Sequence, residues 1–315
     1  MEKKGPGSRP LLAAVLTVAL WASAFPGIRA GLQSYSPLHL ALLRYAAAAL
    51  TLSSYALAKH MRLPPWRDLV KMALLGLVGI AFYGVALNLG EVSVPAAVAS
   101  FLINTGPVFV ALEGWIWLGE RLHRTGWLGI FISFCGIAVI AWSGASGVTL
   151  DLRALLILGA AVAYSLYSVG QKPLLKHYTA VEFTTCAVTA SACFLLVFLP
   201  GLPEEIKTAP LSNTLAVLYL GIIPAALGYV TWAYALAHVP ATRAASFLYL
   251  QPLLVLGIAW VWLGEWPSIL ALVGGVLVLA GVIVMNFRRR ATPGEQRLRA
   301  HAASVTRSNY SPTER

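Results

Sequence analysis

Charge is scarce in this chain, and acidic charge scarcer still. Only 11% of the 315 residues are Asp, Glu, Lys or Arg, and just 12 are acids. A soluble domain carries about 25% charged residues, so a water-covered surface around a single core is excluded. Cysteine is almost missing: Cys135, Cys186 and Cys193 all lie in apolar stretches. The last two are seven residues apart on one expected helix, about 10 Å along its axis, too far for a disulfide, and no pair has metal-ligand spacing. No nucleotide-binding motif occurs, which argues against ATP drive. His39, His60, His123, His177, His238 and His301 are scattered, and Glu204 and Glu205 stand in a short loop. No nucleophile–base pair or metal cluster recommends a membrane enzyme, and no cofactor is implied. Short alternating segments, the mark of a barrel, are also missing.

What is present is apolar, 58% of the chain, and it is gathered into blocks rather than spread at helical or strand spacing. The blocks are approximately 11–31, 37–58, 69–89, 94–116, 125–142, 154–173, 180–200, 212–235, 240–262 and 268–287. Each approaches the roughly 20 residues that a helix needs to cross a bilayer core. Backbone N–H and C=O groups cannot stay unpaired in lipid, so the blocks must be helices. The first is too long for a cleavable signal and is followed at once by another, so it is retained. The expectation is an all-α integral membrane protein of ten transmembrane helices, spans 1 to 10.

The net charge of +11 does not point to nucleic acid once its placement is read. Of 23 basic residues, seven lie in the tail after Phe287 and three precede span 1. With both termini cytoplasmic, the inner loops and tails hold 18 basic residues and the outer loops only Arg153 and Lys207. The positive-inside rule therefore sets both termini of a multi-pass membrane protein in the cytoplasm.

The chain repeats itself. Val94-Pro95-Ala96 matches Val239-Pro240-Ala241, Pro107 matches Pro252, Trp117-Leu118-Gly119-Glu120 matches Trp262-Leu263-Gly264-Glu265, and Gly129 and Gly136 match Gly274 and Gly281, all at an offset of 145. Each half holds five spans, an odd number, so the second enters the membrane the other way up. The loops agree: Arg121-Leu122-His123-Arg124 follows the first Trp-Leu-Gly-Glu, and the uncharged Trp266-Pro267-Ser268 follows the second. The organisation expected is a cytoplasmic tail 1–10, a five-helix repeat 11–142, a second 154–287, and a basic, disordered cytoplasmic tail 288–315. Inverted repeats are the usual construction of alternating-access carriers, with the site near the midplane between the halves.

Candidate site residues follow from depth. Pro107 and Pro252 break spans 4 and 9 and expose backbone polarity, tolerable only beside protein or a watery cavity, so the neighbouring amides of Asn104 and Gln251 are candidates to contact substrate or to bridge helices. Pro26 and Pro224 are further kink candidates. Trp21, Tyr83, Tyr164, Tyr229, Trp232 and Tyr249 cluster at comparable depths, several of them below the interfacial belts, where a phenol or indole needs a polar partner. Such a set suits an amphipathic organic solute. Arg29 stands near the outer end of span 1, within snorkelling reach, and Arg44 lies about 10 Å down span 2. Glu113 and Arg243 have opposite signs at equal depth near the cytoplasmic ends of spans 4 and 9, and are candidates either to pair as part of a gate or to snorkel separately to the interface. The paired glycines of spans 5 and 10 lie two turns apart, as close helix packing requires.

The chain also resembles a known family. The duplicated halves, Trp21-Ala22-Ser23-Ala24-Phe25 in span 1, Arg44-Tyr45 in span 2, and the Pro-then-Leu-Gly-Glu pattern ending spans 4 and 9 are similar to the drug/metabolite transporter superfamily, in its EamA branch, over about residues 11–287. That resemblance implies a bacterial inner-membrane carrier, many of its members being exporters of amino acids and related metabolites, with Arg44 mainly structural and bonded to neighbouring carbonyls. The implied partners are the lipid bilayer and a small-molecule substrate, with coupling to a proton or a second solute and an undefined oligomeric state. Unlike the related small multidrug transporters, span 1 carries no acid, which argues against exchange of protons for drug cations. An importer or exchanger of the same fold is the alternative.

Overall fold

The computed structural model describes residues 8–109, 112–113, 124–142, 152–238, 244 and 246–286, and all regular structure among them is helical. Along the chain run α1 (Ser8–Gly31), α2 (Pro37–Ala58), α3 (Trp66–Glu91) and α4 (Ala96–Phe109), α5 (Arg124–Trp142), α6 (Leu152–Leu174), α7 (Ala180–Phe198) and α8 (Leu211–His238), α9 (Gln251–Leu263) and α10 (Ile269–Asn286). A short helix, Leu202–Thr208, joins α7 to α8. Among the described residues six helices (α1, α2, α3, α6, α7 and α8) are long and apolar enough to cross a membrane, and α4, α5, α9 and α10 are shorter apolar helices. Leu50, Phe131, Val261, Ile269 and Val276 stand exposed on the outside of this bundle. Water would penalise such a surface, and a bilayer covers it. Residues 117–123, 239–243 with Arg243, and the tails 1–7 and 287–315 lie outside the described residues.

Helix ends follow local chemistry. Ser36 caps α2 by accepting the His39 N–H at 3.4 Å, with Pro37 at the first turn, where its missing N–H costs nothing. Thr179 and Glu182 form a reciprocal capping box at α7. The α9 terminus explains one of the repeated motifs. Gly264 adopts φ +67°; its N–H bonds Trp260 O at 3.1 Å and that of Glu265 bonds Ala259 O at 3.3 Å. This paired closure needs a left-handed residue, so glycine ends the helix and Glu265 turns back over the bundle.

Packing is reciprocal. Where α1 packs on α8, α6 packs on α3; where α1 packs on α9, α6 packs on α4; and where α2 meets α8, α7 meets α3. The pairs α2–α7, α4–α9 and α5–α10 are their own counterparts, and α5–α10 is the most extensive. The irregularities match as well. α3 winds as a π-helix over Leu77–Phe82 and α8 over Gly221–Leu227, and an offset of 145 carries the first onto residues 222–227. Pro224 accounts for the second, since it lacks an N–H; α3 has no proline there. At the start of each π segment a glycine lets backbones approach: a methyl on Gly76 would strike the Ala187 carbonyl of α7, and one on Gly221 the Arg44 carbonyl of α2.

The same closeness holds α5 to α10, where a Cβ on Gly136 would sit 2.7 Å from both Gly274 O and Val278 N. Both are backbone atoms and cannot step aside. Gly136→Ala is therefore expected to cost about 1–3 kcal/mol of packing and to lower the Tm of the purified protein. Gly257→Ala, where nothing lies within 4 Å, is expected to leave Tm unchanged or slightly raised. Equal Tm values for the two variants would contradict this packing.

Candidate functional site

Two helix breaks face each other at the centre. In α4 the regular ladder gives way at Asn104 and Thr105, just before Pro107. α9 starts as α-helix at Gln251-Pro252, after a 3-10 turn over Ser246–Leu250. Asn104 Nδ2 donates to Ser100 O at 2.8 Å and to Gln251 Oε1 at 3.4 Å. The amides thus both tie down the broken α4 and bridge α4 to α9, while Asn104 Oδ1 is left without a partner.

A third irregularity is used in the same way. The π turn of α8 loosens its carbonyls from the regular ladder, and Trp21 Nε1 of α1 donates to one of them, Pro224 O, at 3.1 Å. That bond fixes the indole. Its ring stands edge-on to Tyr164 at 5.7 Å and Tyr229 at 5.6 Å between centroids, and tilted against Trp232 at 5.3 Å. Tyr83 of α3 meets Tyr164 at 6.1 Å. Polar links reinforce the α1–α8 contact: Thr17 with Thr231 at 2.7 Å, and Ser23 with Tyr219 at 2.6 Å.

These groups line one internal cavity. Trp21, Tyr83, Asn104, Tyr164, Tyr229 and Gln251, all singled out from sequence, lie on its wall with Arg44 and Pro107. Trp232 is buried behind it against Trp21 and Tyr164. The Tyr249 side chain lies outside the described residues. Pro26 sits inside the uninterrupted helix α1, Pro224 inside the π turn and Pro252 at the start of α9, and none of the three is on the cavity wall. Room inside is about 30 Å³, small beside the roughly 300–1,000 Å³ of a typical ligand pocket. The aromatic walls are drawn together.

Two arginines depart from expectation. Arg44 is 3% exposed, yet its Nε and Nη1 have no hydrogen-bond partner, so the neighbouring carbonyls expected to hold it do not engage these nitrogens. Its guanidinium carbon stands 5.1 Å from the Tyr45 ring centre. Arg29 does not simply snorkel. Its Nε lies 2.8 Å from Glu265 Oε1, and its Nη1 donates to Glu91 O at 2.6 Å and Val92 O at 3.2 Å. Glu265 Oε2 also accepts the Ala96 N–H at 3.3 Å, in the first turn of α4, where a carboxylate is favoured. One ion pair thereby joins α1, α3, α4 and the end of α9, some two turns along α1 from Trp21.

Sequence reasoning missed this cluster. Glu265 stood out only as part of a repeat, and its role depends on the Gly264 turn. Glu91 drew no attention because span 3 was expected to end at 89; α3 instead carries it into the interior, fully buried, with both carboxylate oxygens unpartnered. Glu113 accepts a hydrogen bond from Ser165 of α6. Its expected partner Arg243 lies outside the described residues.

A buried aromatic cavity between two reciprocally packed sets of helices, inside a bundle coated with apolar side chains, is the anatomy of a solute carrier. The EamA-like transporter family matches the chain twice, at residues 8–142 and 152–287. The chain belongs to that family. It is 43% identical over 268 residues to the uncharacterized transporter YdfC of Bacillus subtilis, covering 85% of this chain and 87% of the relative. It is 42% identical over 295 residues to a probable terminal-alkyne amino-acid exporter of Streptantibioticus cattleyicolor, covering 92% and 99%. A crystal structure 21% identical in sequence matches with a TM-score of 0.63, covering 92% of this chain and 99% of that one, a likeness of fold. This EamA transporter is thus a membrane protein whose relatives carry transporter names.

The Arg29–Glu265 geometry makes a prediction. Arg29→Gln and Glu265→Gln are each expected to lower Tm. The charge-swapped double variant R29E/E265R is expected to stay below wild type, because a carboxylate at position 29 cannot donate to the Glu91 and Val92 carbonyls, and a guanidinium at 265 cannot accept from Ala96. Full recovery of Tm in the swap would show that charge alone matters there.

Proposed function

We propose that this transporter is a secondary carrier that exports an amino acid or a related amphipathic solute by alternating access between two inverted halves of five spans. One observation carries the reading: the central cavity is walled by both halves, with Trp21, Arg44, Tyr83 and Asn104 from the first and Tyr164, Tyr229 and Gln251 from the second. A site shared by two reciprocally packed units opens to either side when one unit rocks against the other. The 145-residue offset and the reciprocal helix contacts support the repeat, and the odd number of spans per half supports its inversion. Basic residues place both termini and the loop 121–124 in the cytoplasm, of a plasma membrane protein.

In this orientation Arg29 and Glu265 lie at the external end, so the conformation described is closed outward, and Glu113 with Arg243 is assigned to the cytoplasmic end. Export is favoured by the relative named as an amino-acid exporter, at 42% identity. The units are the tail 1–10, the repeats 11–142 and 154–287, and the tail 288–315.

Comparison of metabolites in medium and cells, with and without overexpression, is expected to show at least one amino acid or related solute accumulating outside in proportion to expression. Sealed proteoliposomes should then exchange that solute across the bilayer. Depletion from the medium would reverse the direction, and no change in either pool would remove the carrier reading. Single cysteines at Arg124 and Ser268 should react from opposite faces.

A further inference from the structure

We propose that Arg44 is an anion anchor in the central cavity, so that the transported solute carries a carboxylate or comparable acidic group. The proposal rests on the carrier reading and narrows its substrate.

The argument begins with an imbalance. Arg44 lies about 10 Å into α2, is 3% exposed, and leaves the three N–H groups on Nε and Nη1 without acceptors. An unpaired charge at membrane depth costs at least about 2.5–3.5 kcal/mol. Among the described residues, the ion pairs are Arg29–Glu265, His39–Glu205 and Lys71–Asp68, none of which involves Arg44. The Tyr45 ring at 5.1 Å offsets part of this, about 0.5–2 kcal/mol for such a contact. Glu91 acts on Arg44 through its charge, yet both its carboxylate oxygens are themselves without hydrogen-bond partners. Among the described residues, Nε and Nη1 of the guanidinium are thus answered by no hydrogen bond, and no ion pair reaches Arg44.

What it faces is the cavity. Arg44 lines it together with Trp21, Tyr83, Asn104, Tyr164 and Tyr229, and among the described residues no acidic side chain is on the wall. The guanidinium is always charged and planar, and carboxylates are the groups it binds best. The rest of the wall supplies the opposite chemistry: Asn104 Oδ1 is an unpartnered acceptor, the Tyr164 phenol stands on the same wall, and the ring faces attract cations. A solute with a carboxylate against Arg44 and an amine or hydroxyl against Asn104 and Tyr164 completes both ends. A simple amine leaves the guanidinium bare and adds a second positive charge beside it.

The narrow cavity gives the anchor a consequence. With only about 30 Å³ of free room, the cavity takes a solute of amino-acid size only as the aromatic walls part. The bare guanidinium destabilises the contracted, empty state, and an arriving carboxylate relieves it. Anion binding therefore favours the expanded state by its preference for that state over the other.

The test compares each of the twenty standard amino acids with its carboxamide, which keeps the ammonium and removes the anionic charge. Ligand-induced rise in Tm of the purified full-length protein reports binding. In the wild-type protein at least one free acid is expected to bind, with its carboxamide at least tenfold weaker. Arg44→Gln should weaken the acid at least tenfold while leaving the amide unchanged, and Arg44→Lys should fall between. Equal binding of acid and amide by wild type overturns the anchor without any variant having to fold. So does an Arg44→Gln protein that keeps the acid preference. Exchange of amides or simple amines by wild-type proteoliposomes, with no acid exchanged, would remove the anchor and leave the carrier. Neither binding nor exchange in either series would remove both.

Discussion

Within a bilayer no water is at hand for a polar group that the protein fails to satisfy, and that constraint shapes this molecule at every level. It forces the backbone into helices. Interruptions of the helices then need side chains to answer them, from the same helix or from the other half. Asn104 answers the break in α4 and reaches Gln251 at the break in α9. Trp21 answers the π turn of α8. The cavity exists because these repairs need side chains of finite size between helices that would otherwise close on one another.

The chain spends its small residues to keep everything else tight. Backbone meets backbone at Gly76 and Ala187, at Gly221 and Arg44, and at Gly136 and Gly274. Without a hydrophobic drive between helices in lipid, such close van der Waals contact is a main source of cohesion. It also makes the packing discrete. All three of these contacts join a helix of the first half to a helix of the second. Ion pairs serve where helices end: Arg29 and Glu265 join four elements at one end of the bundle through a carboxylate aimed by Gly264.

Much of this was legible in the sequence, for identifiable reasons. Apolar runs locate helices because hydrophobic length is dictated by the bilayer, so α1 to α10 fall where the runs do. Depth along a span singled out Trp21, Tyr83, Tyr164, Tyr229, Trp232 and Tyr249, and the proline breaks Asn104 and Gln251. Six of these eight lie on the cavity wall, Trp232 is packed behind it, and the Tyr249 side chain lies outside the described residues. What sequence could not show is direction around a helix and exact ends. Two residues of extension turned Glu91 from a loop residue into a buried acid. The π segment of α3 has no proline to announce it. The partners of Arg29 lie 62, 63 and 236 residues away, beyond any local pattern. The emptiness around Arg44 is a property of packing alone.

The central claim is that one cavity between two halves meets both sides of the membrane in turn. It is tested most directly by a cysteine at position 104, in a chain whose Cys135, Cys186 and Cys193 are serine, exposed to an impermeant thiol reagent from each face of sealed membranes. The account predicts labelling from either face. Labelling from one face alone, under conditions where the protein transports, would contradict it.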